Sequence, residues 1–178
     1  MNKMKEIRIE KITLNIGIGE AGDKLEKASL LLEKITGLKP TLTSSEKRIP
    51  TWGVRPGLTI GTKITIRGEK AEELLKKFLV AVDDHLKPKN FDNQGNLSFG
   101  IPEYIEIPDL EYIPEVGIIG LEVAVTLERP GFRIKKRKYL KKKIPQKHRI
   151  TKEESMEFMK KKYGTAITEE SQDDYESL

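Results

Sequence analysis

Four groups of residues in this sequence have types and spacings that could do chemistry, and each suits phosphate, ribose or a nucleobase. Gly17, Gly19 and Gly22 spell G-x-G-x-x-G between a strand-like and a helix-like stretch, the pattern with which backbone N–H groups cradle a pyrophosphate. Arg133, Lys135, Lys136, Arg137, Lys138, Lys141, Lys142, Lys143, Lys147 and Arg149 crowd into residues 133–149, with Tyr139 among them for stacking. Such a run repels itself in water, and the partner that suits it is a polyanion. Lys11, Thr13, Asn15, Lys63, Thr65 and Arg67 take the polar positions of two alternating strands. Small hydroxyl and amide groups flanked by cations suit phosphates and 2′-hydroxyls, although an ordinary solvated sheet face carries the same residue types. The fourth group is the loop over residues 44–57, which holds Lys47, Arg48, Arg55 and the single tryptophan, Trp52. Its three cations suit an extended loop touching nucleic acid, while Trp52 fits either base stacking or packing on the domain.

No catalytic constellation competes with these. The chain has no cysteine, and its two histidines, His85 and His148, lie far apart without ligand spacing. No serine sits in a nucleophile elbow, and no G-K-[ST] phosphate loop is present. Glu103, Glu106, Asp109, Glu111 and Glu115 are spaced too irregularly among prolines to read as a metal cluster. No cofactor and no metal are expected. The charge lacks a bulky amphipathic anchor, and no apolar run reaches membrane-spanning length, so the expectation is a cytoplasmic protein without membrane contact.

A chain of 178 residues can bury the core of one domain. Its composition is polar, with 37% hydrophobic and 34% charged residues, and the net charge of +5 is modest. That charge is segregated. Residues 129–152 contain no Asp or Glu, whereas residues 165–178 hold five acids and no Lys or Arg. The reading is one domain over residues 1–164, including a basic loop (129–150) and a terminal helix (152–163). The acidic tail, 165–178, looks too polar to pack and mobile.

The elements that position these groups follow from periodicity. Ile12, Leu14, Ile16 and Ile18 alternate with polar residues, so one face of that strand is buried. Ile7 and Ile9 have the opposite parity, and a bulge near Glu10 and Lys11 restores the phase. A helix is predicted over residues 23–36, with Asp23 and Glu26 as a capping pair and Gly37 as its stop. Strands at 41–43 and 59–68 flank the loop, and a second helix covers 69–86 before Pro88. Further strands are predicted at 97–101 and 120–128, with a short extended piece at Ile105 and Ile107. Thr151 and Glu154 cap the last helix, and Gly164 ends it. Strands joined by hairpin-like loops with interposed helices give an α+β fold, an antiparallel sheet with helices on one face.

This pattern weighs against a dinucleotide site at the glycines. A dinucleotide fold buries its first strand on both faces, which would bury Lys11 and Asn15 without partners. The ribose-binding acid would have to be Glu46, inside a loop, and the later strands do not alternate with helices. A nucleotide-dependent enzyme using GIGEAG remains the alternative reading, and the simpler one makes the glycines a tight strand-to-helix turn.

Over residues 7–164 the sequence resembles one family, the universal large-subunit ribosomal protein L-five in its archaeal and eukaryotic form. The resemblance rests on LNIGIGEAGD, LEKITGLKP, the R-x-G of Arg55 and Gly57, TKITIRGEKAEELL, FDNQGNLSFGIPEYIEIP, GIIGLEVAVTLERPGF and KHRITKEESMEFMKKKYG, in the family's order. It implies a two-layer α+β domain whose mostly antiparallel, curved sheet has helices on one face and an open, RNA-facing face. It further implies a structural role, binding 5S rRNA and attaching it to large-subunit rRNA in the central protuberance. Asn15, Thr41 and Thr65 match the family's RNA-contacting positions, whereas Leu38 stands where bacterial members commonly carry glutamine. The 44–57 loop resembles the one that reaches the elbow of P-site tRNA. The basic segment and terminal helix would face large-subunit rRNA and neighbouring proteins. The protein partners implied are L-eighteen and the small-subunit head protein S-thirteen.

Overall fold

The computed structural model describes residues 2–20 and 22–168. Its first strand, β1 (Arg8–Gly17), buries Ile12, Leu14 and Ile16 and leaves Lys11, Thr13 and Asn15 half-buried on the other face. The bulge lies where the parity changes: Ile9 pairs with Leu127 and Lys11 with Thr126, so Glu10 is the extra residue. Helix α1 (Asp23–Thr36) ends at Gly37, whose φ of 65° lets its N–H return to the Glu33 carbonyl. Its start corrects the sequence reading. Gly22, at φ 126°, is the N-cap and no side chain caps the helix, so Asp23 and Glu26 act only as acids in the first turn.

The strands β2 (Thr41–Ser44) and β3 (Thr59–Ile66) follow, then α2 (Glu69–Val80). Helix α2 stops at Val80, short of residue 86, because Asp83 and Asp84 both take left-handed backbone, at φ 54° and 56°. Consecutive left-handed residues cannot continue a right-handed helix. Leu86 still reaches the core, from the short strand β4 (His85–Leu86). The remaining elements are β5 (Leu97–Ile101), β6 (Leu121–Glu128), α3 (Lys152–Tyr163) and β7 (Ala166–Ile167). Residues 104–106 form a 3-10 turn rather than an extended piece. Tyr104 causes this: it is fully buried, and its hydroxyl accepts the Ile113 N–H at 2.8 Å, drawing the 103–119 loop inward.

The main sheet is antiparallel throughout, in the order β2-β3-β1-β6-β5, with β1 central. Helix α1 lies against β3 and α2 against β1, on one face only. Their buried residues, among them Leu31, Leu32, Leu75 and Phe78, join Ile12, Leu14, Val123 and Val125 in a single core. The fold is α+β, with helices on one layer.

The start of the acidic tail packs, contrary to expectation. Thr165 is buried, and β7 pairs in parallel with β4, the Ala166 N–H reaching the Asp84 carbonyl at 2.9 Å. Backbone pairing needs no apolar side chain, which composition could not register. Residues 169–178, where the rest of the expected mobile tail falls, lie outside the described residues.

The basic segment is tied to the domain through one arginine. Arg129 is 4% exposed; it donates to the Arg149 carbonyl at 3.0 Å and to Glu154 Oε1 at 2.7 Å. Glu154 also closes the predicted capping box with Thr151. Further along α3, Ser155 donates to the Gly95 carbonyl at 2.9 Å. Gly95 has to be glycine: its φ is 78°, and a Cβ there would lie 2.4 Å from Ile150. At the far end of α3, burial first and Glu72 second push the Tyr163 hydroxyl up to about 12.

Burial alone would raise the Glu154 carboxyl, but the Thr151 N–H and then the Arg129 guanidinium outweigh it and hold it below 4.5. A depressed folded-state pKa contributes stability above the unfolded value and loses it as pH falls through the folded one. Glu154→Gln is therefore destabilised relative to the wild type near neutrality, and the gap narrows as pH falls through and below the usual carboxylate range. Urea denaturation across that range checks this; a gap that stays constant would contradict it.

Candidate nucleic-acid interface

The period-two pleat sends alternate residues of every strand to the face that no helix covers. Register then assembles them into rows. Thr41 stands opposite Lys63, Lys63 opposite Asn15, and Asn15 opposite Glu122, which faces Gly100. The next row runs Thr65, Thr13, Ala124 and Ser98. Lys11 sits beyond it, opposite Thr126. Thus Thr41, Lys63, Asn15, Thr65, Thr13 and Lys11 share one surface. Arg67 is exposed but lies one residue past the paired end of β3, outside these rows.

Sequence reasoning missed Glu122. Asn15 donates through Nδ2 to Glu122 Oε2 at 3.0 Å, which orients the amide. The alternation of β6 signals that Glu122 faces outward, but not that its neighbour would be Asn15. A hollow of about 420 Å³ opens at this end, lined by Asn15, Gly17, Gly100, Pro102, Gly120 and Glu122. Its glycines contribute no side chains, so a sugar or base edge can approach the backbone.

The glycine motif has no dinucleotide architecture around it. Strand β1 lies between two antiparallel neighbours, and a Cβ at Gly17, Gly19 or Gly22 would meet nothing within 4 Å. Close packing therefore does not demand these glycines. Gly19 and Gly22 serve the turn through φ values of 78° and 126°.

The 44–57 loop is an ordered hairpin tip. Its arms are joined by bonds between Ser45 and Leu58 and by the Ile49–Val54 bridge, and Val54 is buried. Trp52 is not packed on the domain; it is 74% exposed, beside exposed Lys47, Arg48 and Arg55. An indole held out on a 3-10 turn, with cations around it, suits stacking against a base.

The basic segment is less uniform than its spelling. Phe132, Ile144 and Ile150 are buried and anchor it. Lys136 pairs with Glu10, and with Glu128 at 3.5 Å, while Lys135 lies over the Phe132 ring. Arg149 and Arg137 donate through Nε to the carbonyls of Ile144 and Leu140. Arg133, Lys138, Lys141, Lys142, Lys143 and Lys147 have no acidic partner among the described residues, and together with exposed Tyr139 they carry the free positive surface.

Among the described residues no group of His, Asp or Glu could hold a metal ion, and Asp109 of the acidic loop is paired with Lys77 at 2.8 Å. Among the described residues no helix is long and apolar enough to cross a membrane.

Comparison with known proteins agrees along almost the whole chain. The family pattern described as "Ribosomal protein L5" matches residues 2–55, and the pattern for the C-terminus of the same ribosomal family matches residues 59–158. The chain is 50% identical over 170 residues to the large ribosomal subunit protein uL5 of Sulfurisphaera tokodaii, covering 95% of this chain and 96% of that one. The corresponding protein of Nanoarchaeum equitans is 51% identical over 165 residues, covering 92% and 97%. That of Methanobrevibacter smithii is 47% identical over 164 residues, covering 92% and 96%.

Glu122 is the one acid in the central row. Glu122→Gln keeps an acceptor for Asn15 and removes a charge that repels phosphate. Affinity for structured RNA at about 0.1 M salt rises about threefold, with unchanged thermal stability. A filter-binding titration that gave equal or weaker binding would remove this surface from the interface.

Proposed function

The chain belongs to the ribosomal protein L5 family and is thus a structural constituent of the large ribosomal subunit, not an enzyme; from that premise we propose that its open sheet face binds 5S rRNA. The observation that carries the proposal is the uncovered row of Thr41, Lys63, Asn15 and Glu122, with the Thr65–Thr13 row beside it. Hydroxyl and amide groups recognise ribose and base edges there, and Lys63 and Lys11 supply attraction to phosphate. The basic segment reaches large-subunit rRNA, so the protein ties the two RNAs together in the central protuberance. The hairpin tip with Trp52, Lys47, Arg48 and Arg55 contacts P-site tRNA during translation. L-eighteen and the small-subunit head protein S-thirteen are its protein neighbours in this reading.

Most of the affinity is electrostatic. If about six phosphates are neutralised, log K falls with log salt at a slope of roughly −4 to −5. Asn15→Ala combined with Thr65→Ala weakens isolated 5S rRNA binding about thirtyfold, each lost hydrogen bond being worth about 1 kcal/mol, while the slope stays the same because no cation is removed. A slope near zero in the wild type, or full affinity in the double variant, would refute the reading.

Replacing Lys47, Arg48 and Arg55 together by Ala spares 5S rRNA binding and weakens tRNA retention in the P site of reconstituted ribosomes. An equal loss of 5S rRNA binding in this variant would mean that the two surfaces are wrongly divided.

A further inference from the structure

At the Arg8 end of β1, seven residues from Asn15 and so roughly 20 Å along the strand, a cleft of about 470 Å³ lies between the sheet and the basic segment. Arg8, Glu128, Arg129, Arg133, Lys136 and Arg137 line it. Three of its cations are neutralised in place. Arg8 meets Glu128 at 3.0 Å, Arg129 meets Glu154 at 2.7 Å, and Lys136 pairs with Glu10. Arg133 and Arg137 have no carboxylate among the described residues, so the cleft keeps the charge of two guanidiniums. Arg137 is held at its Nε by the Leu140 carbonyl, 2.9 Å away, and Leu140 adopts left-handed backbone at φ 51° to present it. Arg129, on the same wall, keeps a buried Nε–H with no acceptor among the described residues. A buried donor without a partner calls for an explanation, and here it accompanies the uncompensated charge.

We propose that this cleft is a built phosphate site, in which the Arg133 and Arg137 guanidiniums grip one phosphodiester of RNA. Two forked guanidiniums match the oxygens of a phosphate, and a pair of ammonium groups does not. The acids on β1, β6 and α3 fasten the other three cations as walls, so Arg133 and Arg137, both exposed and without a carboxylate partner among the described residues, stand at the mouth of a fixed recess, Arg137 held there through its Nε. The exposed lysines between Lys138 and Lys143 add only long-range attraction. The inference rests on the reading of the chain as an RNA-binding protein, and it assigns one position within that contact.

The test uses the full chain with two probes, 5S rRNA and a short A-form RNA hairpin. The informative variant is Arg133→Lys with Arg137→Lys, which preserves charge and removes the forks; circular dichroism and a thermal melt verify its fold. Affinity falls about tenfold for at least one probe. In Arg133→Ala with Arg137→Ala, the salt slope for that probe drops by about 1 as well. Loss for 5S rRNA means that the phosphate belongs to the RNA on the sheet, and loss for the hairpin alone means a second strand. Asn15→Ala with Thr65→Ala run in parallel reads the sheet surface separately. Lysine variants that bind both probes as the wild type does would overturn the proposal and leave the 5S reading standing. Loss of 5S binding only in the Asn15 and Thr65 variant, with hairpin binding unchanged in the lysine variant, would have the same meaning.

Discussion

Strand β1 is hydrogen-bonded on both sides, to β3 and β6, while helices cover only one of its faces. This combination fixes what the protein presents to its surroundings. A slip of one residue would bring Ile12, Leu14 and Ile16, now at most 3% exposed, to the uncovered face. At about 1.5–3 kcal/mol for each buried aliphatic side chain, the cost approaches the whole stability of a domain, about 5–15 kcal/mol. One register survives, and it puts Lys11, Thr13 and Asn15 on the open side. The bulge at Glu10 belongs to the same constraint, because without it Ile7 and Ile9 would point away from the core.

The face thus exposed is a mixed surface rather than a positive one. Threonines, an asparagine and a glutamate lie between its cations, and Asn15 is oriented by Glu122. Such a surface favours ribose and base edges over bare charge density. The stronger positive field belongs to the basic segment, which is itself a folded structure. Glu10, Glu128 and Glu154 neutralise Lys136, Arg8 and Arg129, and buried Phe132, Ile144 and Ile150 hold the chain against the domain. The mixed hydrogen-bonding face and the concentrated positive charge are therefore separate surfaces, toward opposite ends of β1.

Helix α3 locks this arrangement. Its capping box includes Glu154, the acid that receives Arg129, so the element that ends the basic segment also fixes its beginning. The other anchor is the close approach of Gly95 to Ile150, with Ser155 bonded to the Gly95 carbonyl. Loosening either contact would free the segment and disperse the charge that it concentrates.

Alternation by itself determined which residues of β1, β3, β5 and β6 face the core, and so most of the candidate platform. Local signals also fixed the end of α1 at Gly37 and both ends of α3 at Thr151 and Gly164. Motifs spread over the chain identified the family. What depended on strand order was not legible in the same way. Asn15 meets Glu122 across 107 positions of sequence, Lys136 meets Glu10, and residues 166–167 become a strand only because β4 lies beside them. Helix α2 likewise ends where two aspartates turn left-handed, although its apolar spacing runs on to Leu86. A periodic pattern states which side of an element is apolar because that depends only on the element's own geometry. Which charged group stands across the row, and which cation is left unpaired, depends on the neighbouring strand, and the tertiary structure alone decided that.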